Sequence, residues 1–438
     1  MTYVICLEHK IIVNLKIQKS KKIMQIKEVD VLVIGAGPSG SVAASIIKKA
    51  GYNVHMVEKE KFPRFVIGES LLPRCMEALE EADLLDAVKA QGFQEKFGAK
   101  FIRKGDSCDF NFDEQFTEGY KWTWQVPRGD FDKTLADEVQ RKGVTIDFET
   151  SVTDIQFEGS NSTTTVIDKN GITSQIKAKF IVDSSGYGRV IPRLFNLDKP
   201  SNLPPRKSMF AHISDPNRML HNEPNRIMVI VHQPQTWIWI IPFSTGVTSV
   251  GFVGSPEFFA EHSDKTADEQ LRYLINTEPY LKERFGEEKF MFEPKTLEGW
   301  SVTTEQFFGE GFVLTGNVTE FLDPMFSSGV TLATASSQKA ANLVVKQLQG
   351  VTIDWDQEFV KPTMQGVDVF RTYVMGWYDG TLHDIFFAKN INLEFKKQIC
   401  SVLAGYVWDE KNPFVKKHDR VVKSLAEFLR MNQVPDAI

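Results

Sequence analysis

The sequence predicts an α/β fold: a Rossmann-like nucleotide-binding domain, an antiparallel sheet inserted into it, and a helical C-terminal region. Three observations predict it. The stretch VDVLVIGAGPSGSVAASIIKKAGYNVHMVEKE, residues 29–60, passes from an apolar run through a glycine turn to helical spacing, then back to an apolar run. NRIMVIVHQPQTWIWIIPFSTGVTSVGFVG, residues 225–254, alternates strand patterns with turn signals, as does the chain from Thr145 to Asp183. From about residue 355 onward, helical spacing and charge take over, interrupted by the aromatic GWYDGTLHDIFF.

The first stretch reads as one βαβ unit. Gly35 permits the tight turn, Gly37 lets the backbone approach a pyrophosphate, and Gly40 lets helix and strand pack closely; Pro38 and Ser39 open the helix whose N-terminus faces the phosphates. Gly51 closes that helix. Glu58, at the end of the second strand, is placed to accept hydrogen bonds from a ribose hydroxyl and would repel a 2′-phosphate, which disfavours NADP.

Composition sets the outer limits. A chain of 438 residues with 42% hydrophobic residues and 11% aromatic ones can bury one large core or two intergrown ones. A formal net charge of -6 gives no general attraction to polyanions, so nucleic acid is not expected as a partner. Cys6, Cys75, Cys108 and Cys400 form no C-x-x-C pair, so neither a disulfide framework nor a metal site is expected, and a reducing cytoplasm suits them. The first thirty residues carry charges throughout and lack the features of a secretory signal. Met24 is the expected start, with residues 1–23 a disordered extension. No run reaches the ~18 apolar residues that a membrane span needs. Repeats and Pro/Ser linkers are absent, so the parts are expected to intertwine.

Four motifs carry a resemblance: GAGPSG with Glu58, FPRFVIGES (62–70), DSSGYG (183–188) and VLTGNVTEFLDPMFSSG (313–329). Together they resemble the FAD-dependent aromatic hydroxylase-like and geranylgeranyl reductase superfamily over roughly residues 27–350. Within it, WIWIIP (237–242) is similar to the W-x-W-x-I-P motif of flavin-dependent halogenases, and FLDPMFSSG (321–329) to their F-x-x-P-x-x-S-x-G motif. The resemblance implies a GR2-type three-layer FAD-binding domain over 24–350, a substrate sheet interleaved at about 95–126 and 200–300, and a helical region over 351–438. It implies cofactor contacts from Lys59, Glu69, Ser70, Arg128, Asp183 with Gly186, Pro324 and Gly329. The family's second Gly-Asp pair appears as Gly316-Asn317, where Asn can still accept and donate a hydrogen bond.

The activity so implied is a two-component halogenase. A separate flavin reductase supplies reduced FAD, and O2 with chloride or bromide yields hypohalous acid for an aromatic substrate, free or tethered to a carrier protein. By resemblance, Trp237, Trp239 and Pro242 wall the organic substrate off from the flavin. Trp122 and Trp124 repeat the spacing without the motif and read as core or pocket wall. Counting from Gly68-Glu69-Ser70, Lys96 falls where the family's catalytic lysine lies, with Lys100 as the fallback; its amine would hydrogen-bond the hypohalous acid or capture it as a haloamine. Backbone N–H groups around Ser328-Gly329, where a helix is expected to start, suit an anion. Phe326 stands where tryptophan halogenases have a glutamate, which favours an electron-rich phenol or a pyrrole; Glu320 and Asp323 are nearby carboxylates out of position. His383 with Asp384 is a weaker candidate base. An aromatic monooxygenase or geranylgeranyl-reductase-like enzyme on the same fold is the alternative, and a non-catalytic flavin-binding protein a third reading.

Overall fold

The computed structural model describes residues 26–432 apart from 202 and 262; the expected extension and the Met24 start lie outside the described residues. Strand β1 (Ile26–Ile34), helix α1 (Pro38–Lys49) and strand β2 (Val54–Val57) form the expected βαβ unit. Val31–Ile34 and all of β2 are buried, since a parallel strand covered on both faces needs continuous apolar sequence. The helix Arg128–Arg141 (α2) and strand β3 (Thr173–Asp183) follow. Five strands run parallel in the order Phe312–Leu314, β3, β1, β2, Thr145–Asp147. The first half of β3 stays paired with β1 on one edge and on the other pairs antiparallel with Asn161–Asp168, which pairs with Thr150–Glu158. In register, Ile34 stands between Val57 and Asp183, so the carboxyl ends of β1, β2 and β3 meet at Gly35, Glu58 and Ser184. Such an end is where open α/β sheets take ligands.

A second sheet has seven strands in the order Lys295–Glu298, Lys207–Ser214, Val247–Gly254, β4 (Thr236–Pro242), Met228–Gln233, Gly98–Arg103, Asp106–Asn111. All neighbours are antiparallel except Met228–Gln233 beside Gly98–Arg103. Alternation along β4 divides its side chains between two cores. Ile238 and Ile240 face Leu271, Leu274 and Phe285, whereas Trp237, Trp239 and Ile241 face the C-terminal helices. The 200–300 stretch is therefore not all sheet: Ala267–Thr277 and Pro279–Phe285 are helices covering one face. The signal was in the sequence as a capping box, with Thr266 accepting from the Glu269 amide while Glu269 accepts from the Thr266 amide.

Helix α3 (Ser328–Leu348) packs on α1, where the Ser39 hydroxyl bonds Thr315 at 2.8 Å and Ser337 at 2.5 Å. Helix α4 (Lys361–Tyr378) begins the C-terminal helical region, which buries Phe370, Tyr373 and Trp377 in one cluster with Phe101, Phe110 and Phe326. Trp124 lies in the parallel-sheet core, its ring edge-on to Trp122 at 4.9 Å. Among the described residues, no helix is long and apolar enough to cross a membrane, and no cluster of His, Cys, Asp and Glu could hold a metal.

Candidate active site

A cleft of about 470 Å³ opens at the carboxyl ends of β1, β2 and β3 and runs to β4. At its first end stand Gly35, Gly37, Pro38, Ser39, Glu58 and Lys59. Gly35 has φ +96°, and a Cβ there would meet the Ser184 carbonyl at 2.6 Å; one on Gly40 would lie 1.9 Å from the Gly35 carbonyl oxygen. Gly40 thus serves helix packing and stays off the cleft. The Glu58 carboxylate is aimed by the glycine turn and its own loop, accepting from the Ala36 amide at 2.9 Å and the Glu60 amide at 3.0 Å.

Arg128 and Gly186 also line the cleft, Arg128 opening α2 and Gly186 following β3. Arg128 makes a two-pronged ion pair with the fully buried Asp132, which also receives Arg64 Nη1 at 2.9 Å. Arg128 Nη1 reaches the Ile67 carbonyl at 3.0 Å, tying the FPRFVIGES segment over the opening. Glu69 and Ser70 of that segment line the cleft; Glu69 bonds His212 at 2.5 Å through Oε1, while its buried Oε2 has no partner among the described residues. Asp183 does not face the cleft. Its carboxylate accepts from the Ser185 and Ile191 amides at 3.0 and 2.7 Å, shaping the DSSGYG turn, and burial raises its pKa. Gly316, at φ +62°, likewise stays behind while Asn317 lines the cleft.

At the far end are Trp237, Trp239, Pro324, Ser328 and Gly329. Trp239 Nε1 donates to Ser249 Oγ at 3.0 Å and Trp237 Nε1 to the Tyr378 hydroxyl at 3.0 Å, which fixes both rings. Ser327 adopts φ 57°, ψ 24°, and α3 starts at Ser328 with no side chain of the described residues capping it, so its first amides open on the cleft. Two expected wall residues fall elsewhere. The Pro242 carbonyl accepts from Gln125, and Phe326 packs against Phe101, Tyr373 and Trp377 with centroids 6.0–6.4 Å away.

Lys96 ends the strand Gln94–Lys96, opposite Thr123, and is 3% exposed. It does not line the cleft itself. Its Nζ donates to Ser70 Oγ and to the Leu71 carbonyl, both at 2.8 Å, and Ser70 Oγ in turn accepts from Ser327 Oγ at 3.0 Å. The amine is thus joined to the cleft through one hydroxyl. Burial pulls its pKa down from 10.5 to about 7, so near neutrality amine and ammonium coexist. Lys96 also borders a second hollow of about 270 Å³, and Ile227 lines both spaces.

The other candidates separate. Lys100 pairs with Glu223 at 2.5 Å and Asp109 at 3.5 Å, and the Glu223 contact raises its pKa. His383 lies edge-on to Trp377 at 4.4 Å, away from the cleft, with its pKa lowered to about 4 by burial; Asp384 pairs with Arg430. Glu320 is held by Arg371 at 2.8 Å. Asp323, by contrast, lines the cleft and accepts from the Tyr378 hydroxyl at 2.9 Å and the Met325 amide at 3.0 Å. Arg64 and Tyr378 went unread. Arg64 sits inside the FPRFVIGES motif and Tyr378 inside the aromatic stretch GWYDGTLHDIFF, but neither stretch shows which of its residues faces the cleft.

The model of the FAD binding domain family matches residues 28–350. The chain belongs to this family. The flavoenzyme resembles a solved flavoprotein/dehydrogenase from Cytophaga hutchinsonii, with 58% identity, a TM-score of 0.91, and coverage of 92% of this chain and 99% of that one. It is 26% identical to a 1H-pyrrole-2-carbonyl-peptidyl-carrier-protein brominase of Pseudoalteromonas luteoviolacea, over 88% of this chain and 94% of the relative. A 1H-pyrrole-2-carbonyl-peptidyl-carrier-protein chlorinase of Pseudomonas fluorescens is also 26% identical, over 87% and 90%. The flavoenzyme is an FAD-dependent oxidoreductase whose relatives are flavin-dependent halogenases. Its cleft fits the cofactor: the crowded glycine turn leaves backbone as the floor, Glu58 is preset for a ribose, Arg64 Nη2 lies 3.3 Å from where a Gly37 Cβ would be, and Glu69 Oε2 is a buried acceptor without a partner among the described residues.

Proposed function

We propose that the flavoenzyme is a two-component halogenase that chlorinates or brominates an electron-rich ring, a pyrrole or a phenol, presented free or on a carrier protein. The observation that carries this reading is the buried Lys96 amine, joined through Ser70 to the cleft that holds the glycine turn and the tryptophan wall. FAD bound here, reduced by a separate flavin reductase, supplies the electrons with which O2 converts halide to hypohalous acid. Gly35, Gly37, Ser39 and Glu58 hold its nucleotide half, with Arg128, Asn317 and Pro324 further along. The uncapped amides at Ser328-Gly329 hold the halide. Trp237 and Trp239 keep the organic ring out of the cleft, so that only a small oxidant leaves it. Lys96 meets that oxidant, as an ammonium that polarises it or as an amine that takes its halogen; a pKa near 7 keeps both forms accessible. The ring then exchanges C–H for C–halogen and releases the proton to water. The carrier-bound pyrrole substrates of the two curated relatives support this class of ring.

The test supplies FAD, a flavin reductase with its reductant, O2, and bromide or chloride, together with a pyrrole-2-carbonyl carrier protein or a simple phenol. The expected product carries one halogen in place of hydrogen by mass spectrometry, and Lys96→Ala abolishes it while FAD stays bound. The 58% identity to a protein described as a dehydrogenase favours a second reading, an oxidoreductase acting on its substrate directly at the flavin. A hydroxylated or reduced product formed without halide, or rapid NAD(P)H oxidation by the protein alone, decides for it.

A further inference from the structure

We propose that Asp323 and Tyr378 are positioning residues that couple halide binding in the cleft to the uptake of one proton. The inference rests on the halide site argued above. Asp323 lines the cleft immediately before the Pro324–Phe326 turn that leads into the Ser328-Gly329 amides, and it is 2% exposed. Its Oδ1 accepts from the Met325 amide and so shapes that turn, while its Oδ2 accepts from the Tyr378 hydroxyl. That hydroxyl accepts from Trp237 Nε1. One chain of hydrogen bonds therefore links an indole of the cleft wall, the last residue of α4 and the turn that presents the anion-facing amides.

The charged and titratable groups about Asp323 come from three directions. Tyr378 belongs to α4, and Arg206, just ahead of the strand Lys207–Ser214, lies with its guanidinium 3.9 Å from the centre of the Tyr378 ring. Glu320, three residues back, is held by Arg371 of α4. No cation contacts the Asp323 carboxylate itself among the described residues, and burial raises its pKa to about 6. An anion at Ser328-Gly329 and an ionised Asp323 would share one low-dielectric cleft, where like charges disfavour each other. Halide binding therefore favours protonated Asp323, and by linkage protonation favours halide. Tyr378 opposes the proton: its hydroxyl donates to the charged carboxylate and favours that form, and burial keeps the phenol itself un-ionised.

The experiment titrates FAD-loaded protein with bromide between about pH 5 and about pH 9, following the flavin absorbance, since that window brackets a carboxyl group raised from its ordinary value. Wild-type affinity is expected to fall above the Asp323 transition by up to about tenfold per pH unit. In Asp323→Asn the part of the pH dependence due to this carboxyl is expected to vanish, with bromide bound at least about tenfold tighter than by wild type at the alkaline end. Only the fall as the Lys96 ammonium, joined to the cleft through Ser70, loses its proton at about pH 7 is left. Tyr378→Phe keeps the ring under Arg206 but removes the donor, and should move the fall in affinity to higher pH. Bromide binding with one common pH slope in all three proteins overturns the coupling and leaves the halogenase reading intact. A wild-type protein that holds FAD yet takes up no bromide at any pH overturns both.

Discussion

The two ends of the cleft are built by different means. At the nucleotide end, Gly35, Gly37, Gly40 and Glu58 belong to one βαβ unit, and the bond that aims Glu58 spans only 22 residues. At the amine end, contacts join Lys96 to Ser70, Asp323 to Tyr378, Trp237 to Tyr378 and Ser70 to Ser327 across 26, 55, 141 and 257 residues. The first end is a property of local backbone geometry, so fixed spacing specifies it. The second is assembled by tertiary packing, and its pieces have no meaning until the two sheets and the C-terminal helices close on one another. Electrostatics differ too: Asp132 carries two guanidiniums at one end, whereas at the other the buried Lys96 amine is held by a neutral hydroxyl and a carbonyl.

The largest effect expected is at the nucleotide end. Asp132→Ala strands Arg128, 8% exposed, and Arg64, 17% exposed, without their shared carboxylate. Breaking such a buried pair costs about 3–5 kcal/mol. The FPRFVIGES segment loses its tie as well, so the variant should melt at lower temperature and elute without FAD on gel filtration. Retention of both stability and flavin would show that Asp132 is not what holds this end.

Lys96→Met tests the opposite construction, in which a buried charge opposes the fold. Below about pH 7 the folded and unfolded chains both carry the Lys96 proton; between about 7 and 10.5 only the unfolded chain does. Stability therefore rises with pH across that window, by up to about 1.4 kcal/mol per unit from this group. In Lys96→Met, denaturant titrations should lose that rise, stability at neutral pH should be unchanged or higher, and halogenated product should disappear. A variant that is strongly destabilised at neutral pH, with the pH slope intact, would make Lys96 a structural ion.

Trp237→Phe should act more mildly. It keeps an aromatic wall but removes the donor to Tyr378, a single hydrogen bond worth about 0.5–1.5 kcal/mol. Urea titration should register that loss while FAD remains bound.

These differences explain what could be read ahead of the fold. The glycine turn, Glu58, the two tryptophans on one face of β4 and the start of α3 near Ser328 all follow from period and turn chemistry, and each stands at the cleft. Asp183 and Gly316 belong to the right motifs but work from behind, shaping turns that present Gly186 and Asn317. Phe326 was misplaced because a turn decides which way a side chain leaves it, and this one sends the ring into the aromatic core. Tyr378 was invisible because its partners lie 55 and 141 residues away, beyond any periodicity.

The smallest effect concerns the second lysine, where sequence spacing alone made two residues look alike. Lys96 and Lys100 stand four apart in KFGAK, yet Gly98 between them has φ +156° and the chain changes sheets there. Lys96 ends a two-stranded ladder turned inward, whereas Lys100 lies on Gly98–Arg103, opposite Asp109, with its amine reaching Glu223. Glu223 is 41% exposed, and an ion pair so open to water contributes about 0–1 kcal/mol. Lys100→Ala should therefore shift stability by no more than about 1 kcal/mol and leave flavin content and product yield at wild-type levels. If Lys100→Ala lost the product while Lys96→Ala kept it, the amine would have to reach the oxidant from the seven-stranded sheet, and the buried ladder at Lys96 would be scaffold.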